Sequence, residues 1–217
     1  MIIDVQDVTM LYDGIPALSN VSATIGQGAL IVLTGPTGAG KTTFLRLLYA
    51  DLLPTSGVVL INGTATSRMK AAQLRTVRRS IGIVQQNCRL VDDYTVYDNM
   101  LMPLAVHGLS KADASKRALE TLADLDISYV RHKLPRQLSG GERHLVALAR
   151  AIAVQPGIII ADEPTGTLDE ATSMAVAGVL RRQAESGTSL VISTHSASFA
   201  AAFPAAQHIH LVEGSLA

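Results

Sequence analysis

The sequence predicts an α/β fold: a mostly parallel core sheet with an antiparallel β edge and an inserted α-helical lobe. Three observations predict it. Short, continuous apolar runs at Ala29–Thr34, Gly157–Ala161 and Ser189–Thr194 each lead into a turn and then a helical pattern. Runs of this kind, unlike alternating ones, suit strands covered on both faces. The first forty residues read differently: Ile2–Thr9, Asn20–Ile25 and later Gly57–Ile61 look like strands of an antiparallel edge, separated by the turn signals Asp13-Gly14 and Asn62-Gly63. Between about Asn87 and Leu138 the strand signals disappear.

That strandless stretch is the lobe, expected over about 87–140 within a single domain spanning 1–217. Thr95-Val96-Tyr97-Asp98 has the form of a capping box opening a helix through about Val106. Ser110 caps a second helix, roughly Lys111–Leu125, with Ala114, Ala118, Leu122 and Leu125 on one face. Near the end, Ala197–Ala206 reads as an ordinary packed helix despite Phe199, Phe203 and Pro204. No internal repeat or low-complexity tract is visible.

Composition limits the function classes. Lys+Arg and Asp+Glu are both 18, so the 217 residues carry no formal net charge. That argues against a protein that coats nucleic acid or acidic lipid through bulk charge. Hydrophobic residues make up 48% and charged ones 17%, enough for a core and too apolar for a disordered chain. The longest apolar runs still fall far short of the ~18–20 residues that span a bilayer. The start, Met1-Ile2-Ile3-Asp4, shows no basic segment before an apolar stretch, so no signal peptide is expected. Cys88 is the only cysteine, which excludes an intramolecular disulfide and fits a reducing compartment.

Chemistry enters at Gly35-Pro36-Thr37-Gly38-Ala39-Gly40-Lys41-Thr42, followed by Thr43, a match to G-x-x-x-x-G-K-[ST] between a strand and a helix. Glycines 35, 38 and 40 let the backbone curl so that N–H groups point at phosphate oxygens, and the helix start adds its dipole. Lys41 would reach the β- and γ-phosphates, and the Thr42 hydroxyl would bind Mg²⁺. The fold expected is therefore that of a P-loop NTPase. A second apolar strand ends in Asp162-Glu163. Alternation sends neighbouring side chains to opposite sides, giving Asp162 to the metal and Glu163 to the attacking water as its base.

Leu138-Ser139-Gly140-Gly141-Glu142, taken alone, is a capping box before a helix with Leu145, Leu148, Ala149 and Ile152 on one face. Beside the two nucleotide motifs it resembles the signature of ATP-binding cassette (ABC) ATPases. That resemblance implies an ABC-type ATPase fold over essentially the whole chain. It also implies that Tyr12, otherwise a plain hydrophobic anchor, stacks on adenine. Gln86 matches the loop joining core to lobe, at the metal and the γ-phosphate. Asp169 matches the loop after the carboxylates (Thr167-Leu168-Asp169), and His195, otherwise a polar cap, matches a switch histidine on the γ-phosphate. Ser139, Gly140, Gly141 and Glu142 of one subunit would close over ATP and Mg²⁺ held by another, giving a head-to-tail homodimer.

Within the family, Arg89–Met100, Pro103-Leu104, Gly108 and Ala161–Asp169 resemble the cell-division cassettes of the FtsE type. This implies an FtsX-like integral membrane partner docking near residues 87–102, control of cell-wall hydrolysis, and a peripheral place on the cytoplasmic face of the bacterial inner membrane. Lipoprotein-release (LolD) and efflux (MacB) cassettes share the Asp-Glu-Pro-Thr-Gly pattern. Gln85 stands where an aromatic is usual, Cys88 where a histidine is frequent, and Arg143-His144-Leu145 where Gln-Gln/Arg-Val is common. The match closes at Val212-Glu213-Gly214-Ser215, leaving no room for an added regulatory domain. A soluble ABC ATPase acting on DNA or ribosomes fits less well, given zero net charge and no coiled-coil or zinc insertion. No nucleic acid partner is expected.

Overall fold

The computed structural model describes residues 1–166 and 168–217; Thr167, expected in the loop after the carboxylates, lies outside the described residues. The chain runs β1 (Ile3–Tyr12), β2 (Ile15–Ile25), β3 (Leu30–Thr34), α1 (Lys41–Leu48), β4 (Ser56–Ile61), β5 (Thr64–Ala65), α2 (Ala71–Arg79) and β6 (Ile81–Val84). It continues through α3 (Val96–Val106), α4 (Lys111–Asp124), α5 (Gly140–Ala153), β7 (Ile158–Asp162), α6 (Glu170–Glu185), β8 (Ser189–Thr194), α7 (Ala197–Ala201), β9 (Gln207–Val212) and β10 (Ser215–Leu216). Among the described residues no strand lies between β6 and β7, as the loss of strand signal predicts.

The strands form two sheets, a four-stranded antiparallel one ordered β2-β1-β4-β5 and a six-stranded one ordered β10-β9-β3-β8-β7-β6. In the larger sheet β9, β3, β8, β7 and β6 pair in parallel, and β10 turns back on β9. The antiparallel edge foreseen at the start of the chain is thus a sheet of its own.

The continuous apolar runs are resolved into two faces with period two. Ile31, Leu33, Ile158, Ile160 and Val191 join one buried cluster with Phe44, Leu45, Leu47 and Leu48 of α1 and with Ile3, Val5, Val59 and Ile61 of the antiparallel sheet. Val32, Ile159, Ala161, Leu190 and Ile192 join the other, built from α3, α4, α5, α6 and α7. Helix α1 is therefore sandwiched between the two sheets.

Local chemistry explains the boundaries. Thr95, Ser110, Ser139, Asp169 and Ser196 each accept an N–H from the first turn of the following helix, which satisfies a donor no helical carbonyl can reach. β2 begins at Ile15, earlier than the sequence suggests. Asp13 and Gly14 both have positive φ (49° and 81°), as a tight two-residue hairpin turn requires, and Tyr12 pairs directly with Ile15. The polar Asn20, at φ 50°, is an interruption within the strand and not its start. The helix expected over Ala197–Ala206 ends at Ala201. Pro204 has no N–H to continue it and disfavours helical backbone at Phe203, whose ring packs edge-on against Phe199 at 5.3 Å.

Gly57, at φ +79°, starts the β4 crossing, and a Cβ there would stand 2.3 Å from the Asp7 carbonyl oxygen. Gly57→Ala is expected to cost about 1–3 kcal/mol through strain and overlap, read as a lower urea midpoint with nucleotide affinity retained.

Candidate active site

The phosphate-loop motif links β3 to α1, and its three glycines take up positive φ: 148° at Gly35, 85° at Gly38 and 100° at Gly40. Two of them are also forced by close approach. A Cβ on Gly35 would lie 2.2 Å from the Leu211 carbonyl oxygen, and one on Gly40 2.3 Å from that of Ala17. Behind the loop, Gly214 donates its N–H to the Ala39 carbonyl (3.1 Å) and accepts from Ser19 N–H (2.8 Å). The turn between β9 and β10 therefore pins the loop to β2.

Lys41 is buried. Its ammonium donates to the carbonyls of Gly35 (2.8 Å) and Pro36 (3.0 Å) and lies 3.6 Å from Glu163 Oε1. Thr42 Oγ1 donates to Asp162 Oδ2 at 2.8 Å, and Ser193 Oγ donates to Asp162 Oδ1 at 2.6 Å. This hydroxyl–carboxylate pair beside the loop offers the hard oxygen donors that Mg²⁺ takes.

The two adjacent acids diverge, by a route alternation alone does not foresee. β7 stops at Asp162, and Glu163 enters the left-handed region at φ 46°. Its N–H is held by the Ser193 carbonyl (3.2 Å) and hydroxyl (3.0 Å). The turn aims the buried Glu163 carboxylate away from Thr42, toward Lys41 and toward His195, whose Nδ1 is 2.8 Å from Oε2.

A cleft of about 260 Å³ is lined by Ala17, Thr37, Gly38, Gly40, Lys41, Thr42, Thr43, Gln86, Glu163 and His195. Most residues read from the phosphate-loop, carboxylate and histidine motifs thus meet in one place, and Gln86, drawn from the lobe loop, joins them. A larger cavity of about 740 Å³ between α4, α5 and α6 contains none of the motif residues.

Other residues expected at the site stand apart from this cleft. Tyr12 is 41% exposed at the end of β1, beside Ile15. Asp169 is exposed and caps α6 through Thr172 N–H (2.9 Å) and hydroxyl (2.7 Å). Ser139 and Glu142 form the capping box of α5. Ser139 Oγ accepts from Glu142 N–H (3.1 Å), and Glu142 accepts from Ser139 N–H (2.7 Å) and Lys133 (3.1 Å). Gly140 and Gly141 begin the helix, with Gly141 facing Thr172 and Leu168. Within one copy the signature and the phosphate loop do not meet.

Three residues escaped the sequence reading. Ala17 lines the cleft through proximity that no motif encodes. Ser193 orients both acids, and its only sequence signal is a hydroxyl inside an apolar strand. Asn99, fully buried on α3, bonds Val91 N–H and the carbonyls of Val91, Tyr94 and Thr95, fixing the loop after Gln86.

The family profile described as ABC transporter matches residues 18–166. The chain is 38% identical over 195 residues to the cell division ATP-binding protein FtsE of Bacillus subtilis, covering 89% of this chain and 86% of that one. It is 38% identical over 217 residues to the lipoprotein-releasing system ATP-binding protein LolD of Bordetella avium, covering 97% and 94%. Its fold matches the dimeric structure of MJ0796, a bacterial ABC transporter cassette, with a TM-score of 0.92 at 34% identity over 99% of this chain and 96% of that one. A post-hydrolysis state of that cassette, bound to ADP and Pi, matches with the same TM-score at 33% identity over the same shares. The chain belongs to the ABC transporter family and is an ABC-type ATPase.

Two predictions follow from this geometry. Ser193→Ala removes the donor to Asp162 and one acceptor for Glu163 N–H. It is expected to cost about 1–3 kcal/mol in urea unfolding and to lower steady-state ATP turnover about ten- to a hundredfold. The second concerns pH. The Ser139 N–H, with help from Lys133, holds Glu142 below the ordinary carboxylate range. A depressed folded pKa gives stability that is present above the unfolded value of about 4.3 and is lost as pH falls through the folded one. Asp169, lowered by Thr172, acts in the same direction. Glu142→Gln is therefore expected to flatten, without abolishing, the acid limb of stability against pH.

Proposed function

We propose that two copies of the chain sandwich two ATP molecules head to tail and hydrolyse them to drive an FtsX-like membrane subunit that controls cell-wall hydrolysis in bacterial division. The observation that carries the hydrolytic reading is the meeting of Glu163, Lys41 and His195 at the mouth of the phosphate loop. In this reading Lys41 leaves the Gly35 and Pro36 carbonyls for the β- and γ-phosphates, which frees Glu163 from its ion pair. Glu163 then accepts the proton of the attacking water, with His195 fixing its orientation and reaching the γ-phosphate.

The loop from Gly35 to Thr43 would cradle the phosphates, and Thr42 and Asp162, with Gln86 at the cleft edge, would hold Mg²⁺, which would supply charge neutralisation there. Tyr12 and Ile15 offer an exposed apolar shelf for adenine. Ser139 Oγ accepts from Glu142 N–H, and its O–H would turn from the Glu142 carboxylate to a γ-phosphate on the facing copy. The N–H groups of Gly140 and Gly141 point the same way, and Glu142 and Asp169 steady the helix starts that meet there.

No helix among the described residues is long and apolar enough to cross a membrane, so the proposed place at the inner membrane's cytoplasmic face depends on a partner. Val91, Tyr94 and Met102, 38%, 46% and 38% exposed on a loop and helix that Asn99 anchors, suit docking near residues 87–102. Val96 is buried, and Leu90 and Tyr97 pack into the core. A second reading, the ATPase of a lipoprotein-release or efflux complex, is favoured by the 97% and 94% coverage of the LolD match.

Glu163→Gln is expected to lower hydrolysis about 10²–10⁴-fold and to run as a dimer on a sizing column with ATP and Mg²⁺. A variant that stays monomeric sinks the sandwich. The same variant, tagged, then serves as bait in detergent-solubilised membranes of its source. A four-helix FtsX-like subunit with cell-wall factors supports division, and a lipoprotein-handling or efflux complex moves the assignment to the second reading.

A further inference from the structure

The helix start at Ser139 is to meet a phosphate, yet a carboxylate stands in its first turn. Glu142 accepts from Ser139 N–H at 2.7 Å, and its side chain is only 15% exposed. A capping box works with an amide as well as with an acid, so the cap does not call for the charge. Opposite the γ-phosphate of another copy that charge is a liability twice over. It repels the incoming anion, and it competes for the Ser139 hydroxyl, which bonds to it within the single copy.

Lys133 offsets both effects. Its ammonium lies 3.1 Å from Glu142 Oε1, while Ser139 N–H occupies Oε2. Among the described residues it is the one cation at ion-pair distance from Glu142. Arg143, next along α5, turns instead to the Pro135 carbonyl at 2.8 Å. The other acid near this helix start is Asp169, whose partner Thr172 lies beside Gly141. It is exposed, so water and salt screen it without a lysine.

Lys133 is held from two directions. Its carbonyl accepts Val96 N–H and that of Arg131 accepts Tyr97 N–H, both at 2.9 Å, which fixes the segment to the first turn of α3. Its ammonium stands over the Tyr129 ring, 5.5 Å from the centroid. The Lys133 side chain is 38% exposed, and an ion pair this open adds little to stability. So much anchoring of a pair worth little to the fold points to a task at the signature itself.

We propose that Lys133 is a positioning residue of the signature: it neutralises Glu142, so that the Ser139 hydroxyl can leave the carboxylate and donate to the γ-phosphate of the facing copy. The inference rests on the head-to-tail sandwich and names what tunes its grip on phosphate. Lys133 does not touch the nucleotide and acts only through Glu142. Its loss therefore weakens ATP-driven closure and spares the chemical step at Glu163.

The test follows dimer formation on a sizing column against ATP concentration, with Mg²⁺, in the slowly hydrolysing Glu163→Gln chain. Adding Lys133→Met should raise the ATP needed for half-dimerisation about tenfold, because each sandwich contains the contact twice. Lys133→Arg keeps the charge and should stay within about twofold. Adding Glu142→Gln to Lys133→Met should restore dimerisation to within about threefold of the Glu163→Gln chain, since removing the acid removes the need for its partner. With Glu163 intact, Lys133→Met should raise KM for ATP about tenfold and hold kcat within about twofold. Dimerisation of Lys133→Met at unchanged ATP, or a defect that Glu142→Gln does not relieve, overturns the proposal and leaves the sandwich standing. A Glu163→Gln chain that stays monomeric at every ATP concentration overturns the sandwich, and this role of Lys133 with it.

Discussion

The parallel register of β3, β8 and β7 is the constraint on which everything catalytic in this chain depends. Thr34 pairs with Thr194 and Asp162 with Ser193, so the three strands finish level with one another. Ligands in open α/β sheets bind outside the carboxyl ends of the strands, and here each strand delivers a different group to that edge. β3 runs into the phosphate loop, β7 into Asp162 and Glu163, and β8 into Ser193 and His195. A one-residue slip of β8 would move the Ser193 hydroxyl to the opposite face, detaching both acids from their shared anchor.

That register is stable because both faces of the sheet are buried, and the two burials do different work. On one side α1 fills the space between the sheets, so the helix that presents Lys41 and Thr42 is enclosed and buries its own Phe44, Leu45, Leu47 and Leu48. The other side carries a layer of helices that reaches into the lobe, beside the Gln86 loop and including the signature helix. A rigid half that holds phosphates and a helical half that can register a partner are thus separated by a single sheet.

How much of this was legible depended on whether the signal was local. The phosphate loop, the acid pair and the caps at Thr95, Ser110 and Ser139 are written in adjacent residues, because glycine's freedom and side-chain-to-backbone bonds act over a few positions. The meeting of Lys41, Glu163, Gln86 and His195 followed from motif order. The left-handed turn at Glu163 did not, because Ser193, thirty residues away, holds it. α2 turns only Leu74 and Val77 toward the core, and β6 is only four residues long, so neither announced itself. Tyr12, Ser139 and Asp169 lie outside the cleft in one copy, where the arrangement of a single chain leaves them as anchor and caps.

The pairing of β3 on both sides has a consequence for how the chain is made. Its partners are β8 and β9, and the loop that follows it is pinned by Gly214, so a strand synthesised among the first forty residues finds both its sheet neighbours in the last thirty. During translation the antiparallel sheet and the lobe can assemble from residues already at hand. The phosphate loop cannot close until almost the whole chain has emerged. A nascent or interrupted polypeptide would therefore carry a folded lobe and a complete set of docking side chains while lacking a nucleotide pocket, and nucleotide capture becomes a late marker of completed synthesis.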